Sequence, residues 1–129
     1  MSDKKEKFEV KSTLDRDLTV EYVEKILNGF KEGKIELSDN TSKTISLNPI
    51  EPYQLEIEIG KKEDKGRIKT EIAWDKTKGF ANTDVVIDYL NSIISMLKKS
   101  ALESNVEIKL SAKEDTEKEK GKIKLNLEV

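Results

Sequence analysis

Apolar and polar residues alternate through KFEVKSTL, so Phe8, Val10, Ser12 and Leu14 share one face of a predicted strand. The period then changes. Val20, Val23, Ile26, Leu27 and Phe30 recur at helical spacing and predict an amphipathic helix over 19–32. Thr19 is the expected N-cap, with Leu18 and Val23 closing a hydrophobic staple, and Gly33 is the expected stop. Gly29 lies inside this helix, where it costs up to about 1 kcal/mol against alanine; close packing is one use for it. Two short alternating runs follow, KIEL with Ile35 and Leu37 and KTISL with Ile45 and Leu47, separated by the turn residues SDNTS. Pro49 and Pro52 then interrupt, since neither can donate to a ladder.

YQLEIEI and GRIKTEIAW form the clearest hairpin. Tyr53, Leu55, Ile57 and Ile59 face one way, as do Ile68, Thr70, Ile72 and Trp74 on the second strand. Two registers compete. One sets Glu58 against Arg67 and Glu56 against Lys69; the other sets Tyr53 against Trp74 but Glu56 against Glu71. Cross-strand pairs contribute about 0.2–1 kcal/mol each, which favours the first. KTKGFANTD is a loop, and Asn82 or Thr83 caps a second helix over about 84–101. Its broad apolar face (Val86, Ile87, Leu90, Ile93, Ile94, Leu97) predicts deeper burial than the first helix has. VEIKL and KIKLNLEV make a last hairpin across a charged, mobile connector, SAKEDTEKEKG.

The two long hairpins resemble each other. Residues 55–64 align on 106–115 and 65–74 on 120–129, with 116–119 extra in the second loop. Lys62-Glu63-Asp64 meets Lys113-Glu114-Asp115, and Lys65, Gly66, Ile68 and Lys69 meet Lys120, Gly121, Ile123 and Lys124. Trp74 meets Val129. The helices match with Val20, Tyr22, Val23, Ile26, Leu27 and Phe30 on Ile87, Tyr89, Leu90, Ile93, Ile94 and Leu97. Internal duplication is one reading, with the second copy lacking 34–52. Convergence of two amphipathic hairpins in a Lys/Glu-rich chain is the other.

Residues 8–74 also resemble the amphi-Trp domain family of small bacterial and archaeal proteins. FEVKS, the helix within EYVEKILNGFKEGKIEL, and alternating strands ending in the tryptophan of IKTEIAW carry the resemblance. It implies a strand–helix–strands unit of no established biochemical function. The chain after Trp74 departs from the family's short form and reads as a fused or degenerate second copy.

Composition narrows the chemistry. Charged residues reach 39% and apolar ones 35%, yet the net charge is only −2, so no global field attracts nucleic acid or anionic lipid. Lysines number 22 against two arginines, Arg16 and Arg67; lysine is a hydrated point charge, whereas arginine is the usual bidentate phosphate reader. No cysteine or histidine occurs, which excludes disulfides, thiolate metal sites, Cys nucleophiles and imidazole bases. No apolar run approaches the roughly 18 residues of a membrane helix, and MSDKKEK lacks a signal peptide's apolar segment, so a cytoplasmic location is expected. The paired carboxylates Asp15/Asp17, Glu63/Asp64 and Glu114/Asp115 all fall in turns or charged loops and read as solvated. Asp39 and Asn40 lack calcium-loop spacing, and no phosphate-binding glycine motif occurs.

The expected fold is α+β: a single mainly antiparallel sheet with two helices packed on one face, pseudo-duplicated. Residues 1–129 form one domain, comprising a flexible tail (1–6), an amphi-Trp-like half (8–74) and a second half-repeat (75–129). Ile57, Ile72, Ile108 and Leu125 should all be shielded by the helices, while Tyr22 and Tyr89 keep packed rings and wet hydroxyls. Trp74 is read first as a core or edge residue and second as a partner contact, with Tyr53 and Phe80 nearby. The expected function is a non-enzymatic protein-interaction or self-association module of the amphi-Trp type, with no cofactor, metal or catalytic residue and no membrane partner. The alternative is single-stranded nucleic-acid binding by a sheet face bearing Lys43, Lys69, Lys109, Lys122 and Lys124.

Overall fold

The computed structural model describes residues 5–38, 43–62, 65–75, 79–99, 106–115 and 117–128. Residues 1–4 of the expected tail, Asp39 and Asn40, Glu63 and Asp64, loop residues 76–78, the predicted helix end at 100–101 and Val129 lie outside them. The elements are β1 (Lys5–Leu14), α1 (Arg16–Glu32), β2 (Ile35–Ser38), β3 (Thr44–Leu47), β4 (Tyr53–Lys62), β5 (Lys65–Asp75), α2 (Thr83–Lys99), β6 (Val106–Asp115) and β7 (Lys120–Glu128). The chain is α+β, and its main sheet is five-stranded and antiparallel throughout, in the order β1-β6-β7-β5-β4.

Helix α1 starts three residues before the expected Thr19. Asp15, in an extended conformation, accepts a 2.7 Å bond from Leu18 N–H and is the cap. Thr19 sits one turn inside, buried, its hydroxyl donating to Asp15 O at 2.8 Å. Leu18 is 48% exposed, so no staple covers it. The stop is as expected: Gly33 takes a left-handed φ of 79° and its N–H bonds Gly29 O at 2.8 Å. The chain then turns back so tightly that a Cβ on Gly29 would lie 2.4 Å from Ile35 Cγ1. Close approach is the purpose of that helical glycine. At the start of α2, Asn82 Oδ1 accepts from Val85 N–H at 3.1 Å.

The expectation of a single sheet is corrected here. β2 and β3 pair only with each other, as a separate two-stranded sheet. Ile35, Leu37, Ile45 and Leu47 are all buried on one of its sides, and each strand is only four residues long. The apolar side docks on the core through α1, β1 and β6 instead of extending the larger ladder.

Two segments expected to be flexible contain ordered strand among the described residues. β1 includes Lys5 and Glu6, which pair with Asp115 and Glu114. The ladder of β6 with β7 runs to Asp115–Lys120, and Asp115 Oδ1 accepts from Lys118 N–H at 3.2 Å. The β1–β6–β7 ladders thus order most of a connector expected to move. The β4–β5 register is the one not favoured: Tyr53 faces Trp74 and Glu56 faces Glu71.

Phe8, Ile26, Ile72, Leu90, Ile93, Ile108, Leu125 and Leu127 lie in one buried cluster. Ile72, Ile108 and Leu125 are buried; Ile57 is not, at 43% exposed, and Ile59 rises to 65%. The hydroxyls also differ from expectation. Tyr22 Oη is buried, and Tyr89 Oη lies 2.9 Å from Thr70 Oγ1, inside the fold.

Candidate functional site: a buried aromatic seam beside an open strand edge

Trp74, Tyr53 and Phe30 meet edge to face in all three pairs. Phe30 lies 5.4 Å from Tyr53 and 6.1 Å from Trp74, and Tyr53 lies 6.3 Å from Trp74, centroid to centroid. All three rings are 1–2% exposed. Beyond Trp74 the same row of the sheet continues to Gly121 on β7 and Glu114 on β6. A Cβ on Gly121 would lie 2.5 Å from Trp74 Cζ2 and 2.7 Å from Glu114 Oε2, so the indole lies across the bare backbone and reaches toward the carboxylate. Glu114 is only 3% exposed, and its Oε1 accepts from Asn48 N–H at 3.4 Å, linking the end of β3 to the main sheet. Asp115 is 8% exposed. Neither residue is the solvated loop carboxylate expected from the sequence, because the ladder runs through Glu114 and closes on Asp115. Trp74 Nε1 is buried and makes no hydrogen bond among the described residues.

This geometry corrects two of the three proposed contacts. Trp74 and Tyr53 are covered and present no surface to a partner. Both lie on the apolar side of their strands, and Phe30 closes over them. Phe80 is 76% exposed, the most open of the large apolar side chains described. It sits in a loop tied to the edge of β4: Tyr53 N–H donates to Ala81 O at 2.8 Å, and the N–H groups of Phe80 and Ala81 both donate to Tyr53 O at 3.0 Å.

The seam is buttressed by Glu51, whose Oε1 accepts from Thr83 N–H at 2.7 Å and Thr83 Oγ1 at 2.6 Å. These bonds hold the Glu51 carboxyl below its ordinary range and satisfy the first N–H of α2. Burial pushes the Tyr53 phenol up, opposed by its contact with the Thr83 hydroxyl; the nearby Glu51 charge adds to the rise. The Tyr89 phenol is likewise raised by burial, with the bond to Thr70 opposing. None of these groups is poised near neutral pH for proton transfer.

Edge strand β4 is the accessible part of the site. The backbone groups of Tyr53 point away from β5, toward Ala81. In an antiparallel ladder alternate residues turn the same way, so the N–H and C=O of Leu55, Ile57 and Ile59 face the open edge as well. Side chains alternate too. Exposed Ile57 and Ile59 lie on the side of the sheet that buries Tyr53, while Gln54, Glu56 and Glu58 project on the other and are exposed. The pattern was legible in the sequence as a face; its uncovered end was not, because no local signal says where the cover over that face stops.

Among the described residues no cluster of three or more acidic or other metal-ligating side chains occurs, and no helix is long and apolar enough to cross a membrane. No protein-family model matches the chain, and no curated protein or solved structure matches it either.

Proposed function

We propose that this chain is a non-enzymatic interaction module that accepts an extended segment of a partner protein along β4. The observation that carries the reading is the exposure of Ile57 and Ile59, 43% and 65%, beside an edge whose backbone donors and acceptors point outward. Addition of a strand supplies main-chain hydrogen bonds, and alternate side chains supply specificity. The partner that fits alternates apolar residues, packing on Ile57 and Ile59, with lysine or arginine beside Glu56 and Glu58. A second copy of β4 fits poorly, since an antiparallel register centred on Ile57 sets Glu56 against Glu58, and like charges directly opposite are destabilising.

In this reading both helices lie on one face of the main sheet, and the chain is one domain made of an amphi-Trp-type unit, 8–74, and a shortened second copy. The support is architectural. The hairpins β4–β5 and β6–β7 flank the central antiparallel pair β5–β7, as a local two-fold would place them. Phe30 of α1 touches Trp74, and Tyr89 of α2 touches Thr70, both on the buried side of β5.

A synthetic peptide of alternating valine and lysine tests the proposal. Titration should protect the amides of Leu55, Ile57 and Ile59 from hydrogen exchange, and the double variant Ile57→Lys/Ile59→Lys should abolish that protection without lowering the unfolding midpoint. Unchanged exchange at β4 with millimolar peptide would overturn it.

A further inference from the structure

The face of the main sheet that carries Glu56 and Glu58 also carries an unbalanced field of lysines at its other end. The registers define its rows. Lys7 on β1 faces Lys113 on β6, which faces Lys122 on β7. In the next row Glu9 faces Ser111, which faces Lys124, and in the third Lys11 faces Lys109, which faces Asn126. Three strands and three rows thus hold six lysines and one glutamate. The area is about 10 Å across the strands and about 14 Å along them. Lys7, Lys11, Lys109, Lys113 and Lys124 are exposed. Among the described residues, the one ion pair within 4.0 Å that reaches this block is Lys122 Nζ to Glu71 Oε1, at 2.8 Å. Continued across β5 and β4, the same three rows reverse the balance, with Glu56, Glu58 and Glu71 against Lys69. The near-zero net charge of the chain conceals a polarised face.

Like charges set directly opposite across strands are destabilising, and a ligand of high negative charge density relieves them. We infer that the β1–β6–β7 face binds a linear chain of phosphates, as found in single-stranded nucleic acid or in inorganic polyphosphate. One feature of the block selects phosphate over an acidic peptide, although lysine binds either anion as a point charge. Its inner-row neighbours, such as Phe8, Ile108, Leu110 and Ile123, are buried on the opposite side and offer a peptide no apolar grip. Base stacking is absent from this mode, because Tyr53 and Trp74 lie under the helices' side of the sheet at 2% and 1% exposure. The acidic β4–β5 end repels the same chain and confines it to the lysine rows. This site is independent of the β4 edge.

The test uses the full chain with a fluorescein-labelled 20-nucleotide oligothymidine, inorganic polyphosphate of matched charge, and poly-glutamate. Binding should follow a log–log salt slope of about −4 if all six lysines engage, or a few hundred-fold loss from 50 to 200 mM salt. Neutralising Lys109, Lys113 and Lys124 to glutamine should halve that slope while leaving the unfolding midpoint equal or higher; Lys25→Gln/Lys31→Gln on α1 should bind as the parent. Trp74 emission should not change on binding. Oligothymidine competed by polyphosphate supports the shared phosphate chemistry; preference for one of the two names the source. No binding of either phosphate chain at 20 mM salt, equal affinity for poly-glutamate, or an unaltered slope in the triple variant would each overturn the inference.

Discussion

Gly121→Ala gives the sharpest test of the aromatic seam. The added Cβ would stand 2.5 Å from Trp74 Cζ2, 2.6 Å from Cε2 and 2.7 Å from Glu114 Oε2. The indole has no room to withdraw, since Phe30 and Tyr53 meet it edge-on at 6.1 and 6.3 Å. Overpacking of this kind costs about 1–3 kcal/mol. A chain of this size loses roughly 3–5 °C of midpoint per kcal/mol, so a fall of roughly 3–15 °C is expected by calorimetry. Gly66 is the control. It aligns with Gly121 in sequence, yet a Cβ there meets nothing within 4 Å. Gly66→Ala should be neutral or raise the midpoint slightly, because glycine within a strand is itself unfavourable by about 0.5–1 kcal/mol. Trp74→Phe removes the atoms that clash, so the penalty of Gly121→Ala should shrink by about 1 kcal/mol or more in that background. Equal midpoints for the two glycine variants, or a penalty that ignores residue 74, would refute the packing argument.

Other outcomes follow from single contacts. Gly29→Ala should destabilise despite a gain of up to about 1 kcal/mol in helix propensity, because its Cβ would lie 2.4 Å from Ile35 Cγ1 and 3.0 Å from Ile35 Cα; thermal unfolding monitored by circular dichroism measures the sign. Tyr89→Phe removes the 2.9 Å bond to Thr70 and should cost about 1 kcal/mol in chemical denaturation. The raised phenols of Tyr53 and Tyr89 stabilise fully below their ordinary value of 10.0, and this is lost as pH rises through the raised values, so Tyr89→Phe should also flatten the alkaline fall of the midpoint. Glu71 is held below its ordinary 4.5, chiefly by the hydrogen bond from Lys122, with burial opposing. Its contribution is present above 4.5 and lost as pH falls through the lowered value, so Glu71→Gln should flatten the acid limb of a midpoint-against-pH series.

Periodicity made the helices and most of the strands legible, because burial of one face acts on every third or fourth residue of α1 and every second residue of β5. Gly33 was legible because only its backbone freedom ends the helix in that conformation. The cap was not: Asp15 and Thr19 are both good cap residues, and the choice between them rests on where β1 leaves the sheet. Glu114 and Asp115 carried a signal that pointed the wrong way. Charge in a Lys/Glu-rich segment reads as a loop, but β1 and β6 pair without a break from Lys5–Asp115 to Leu14–Val106, which draws both carboxylates into the ladder. The aligned Lys-Glu-Asp triplets mislead in a related way. Paired residues close the first hairpin around two residues, 63–64, and the second around four, 116–119. Lys62 is therefore the counterpart of Asp115, two positions from where sequence similarity sets it. Gly121 carried half a signal, since Gly60 and Gly66 also lie in strands and a Cβ on either would meet nothing within 4 Å. A glycine inside an alternating strand can mark a close approach, and at Gly121 what approaches is the tryptophan of the neighbouring strand.

The β4–β5 register shows why charge pairing was the wrong arbiter. Matching Glu58 to Arg67 and Glu56 to Lys69 gains at most about 0.2–1 kcal/mol per exposed pair. It would also set Trp74 against Glu51 and break the seam. An aromatic side chain buries about 150–250 Å², or roughly 4–6 kcal/mol at 25 cal/mol/Å², so keeping Tyr53 and Trp74 together under Phe30 outweighs both ion pairs. The outer face then adapts to a register it did not choose. Glu58 still meets Lys69. Arg67, left opposite Gly60, turns to Glu128 on β7, with Nη2 2.8 Å from Oε1. Glu71, left opposite Glu56, is neutralised by Lys122 from the row of Ala73, whose small side chain leaves the lysine space to lean across. Each repair draws a charge from β7 toward β5 and none from β1 or β6. The core decides the register, the register uses up the counter-charges near β5, and the lysines of β1 and β6 are left facing one another.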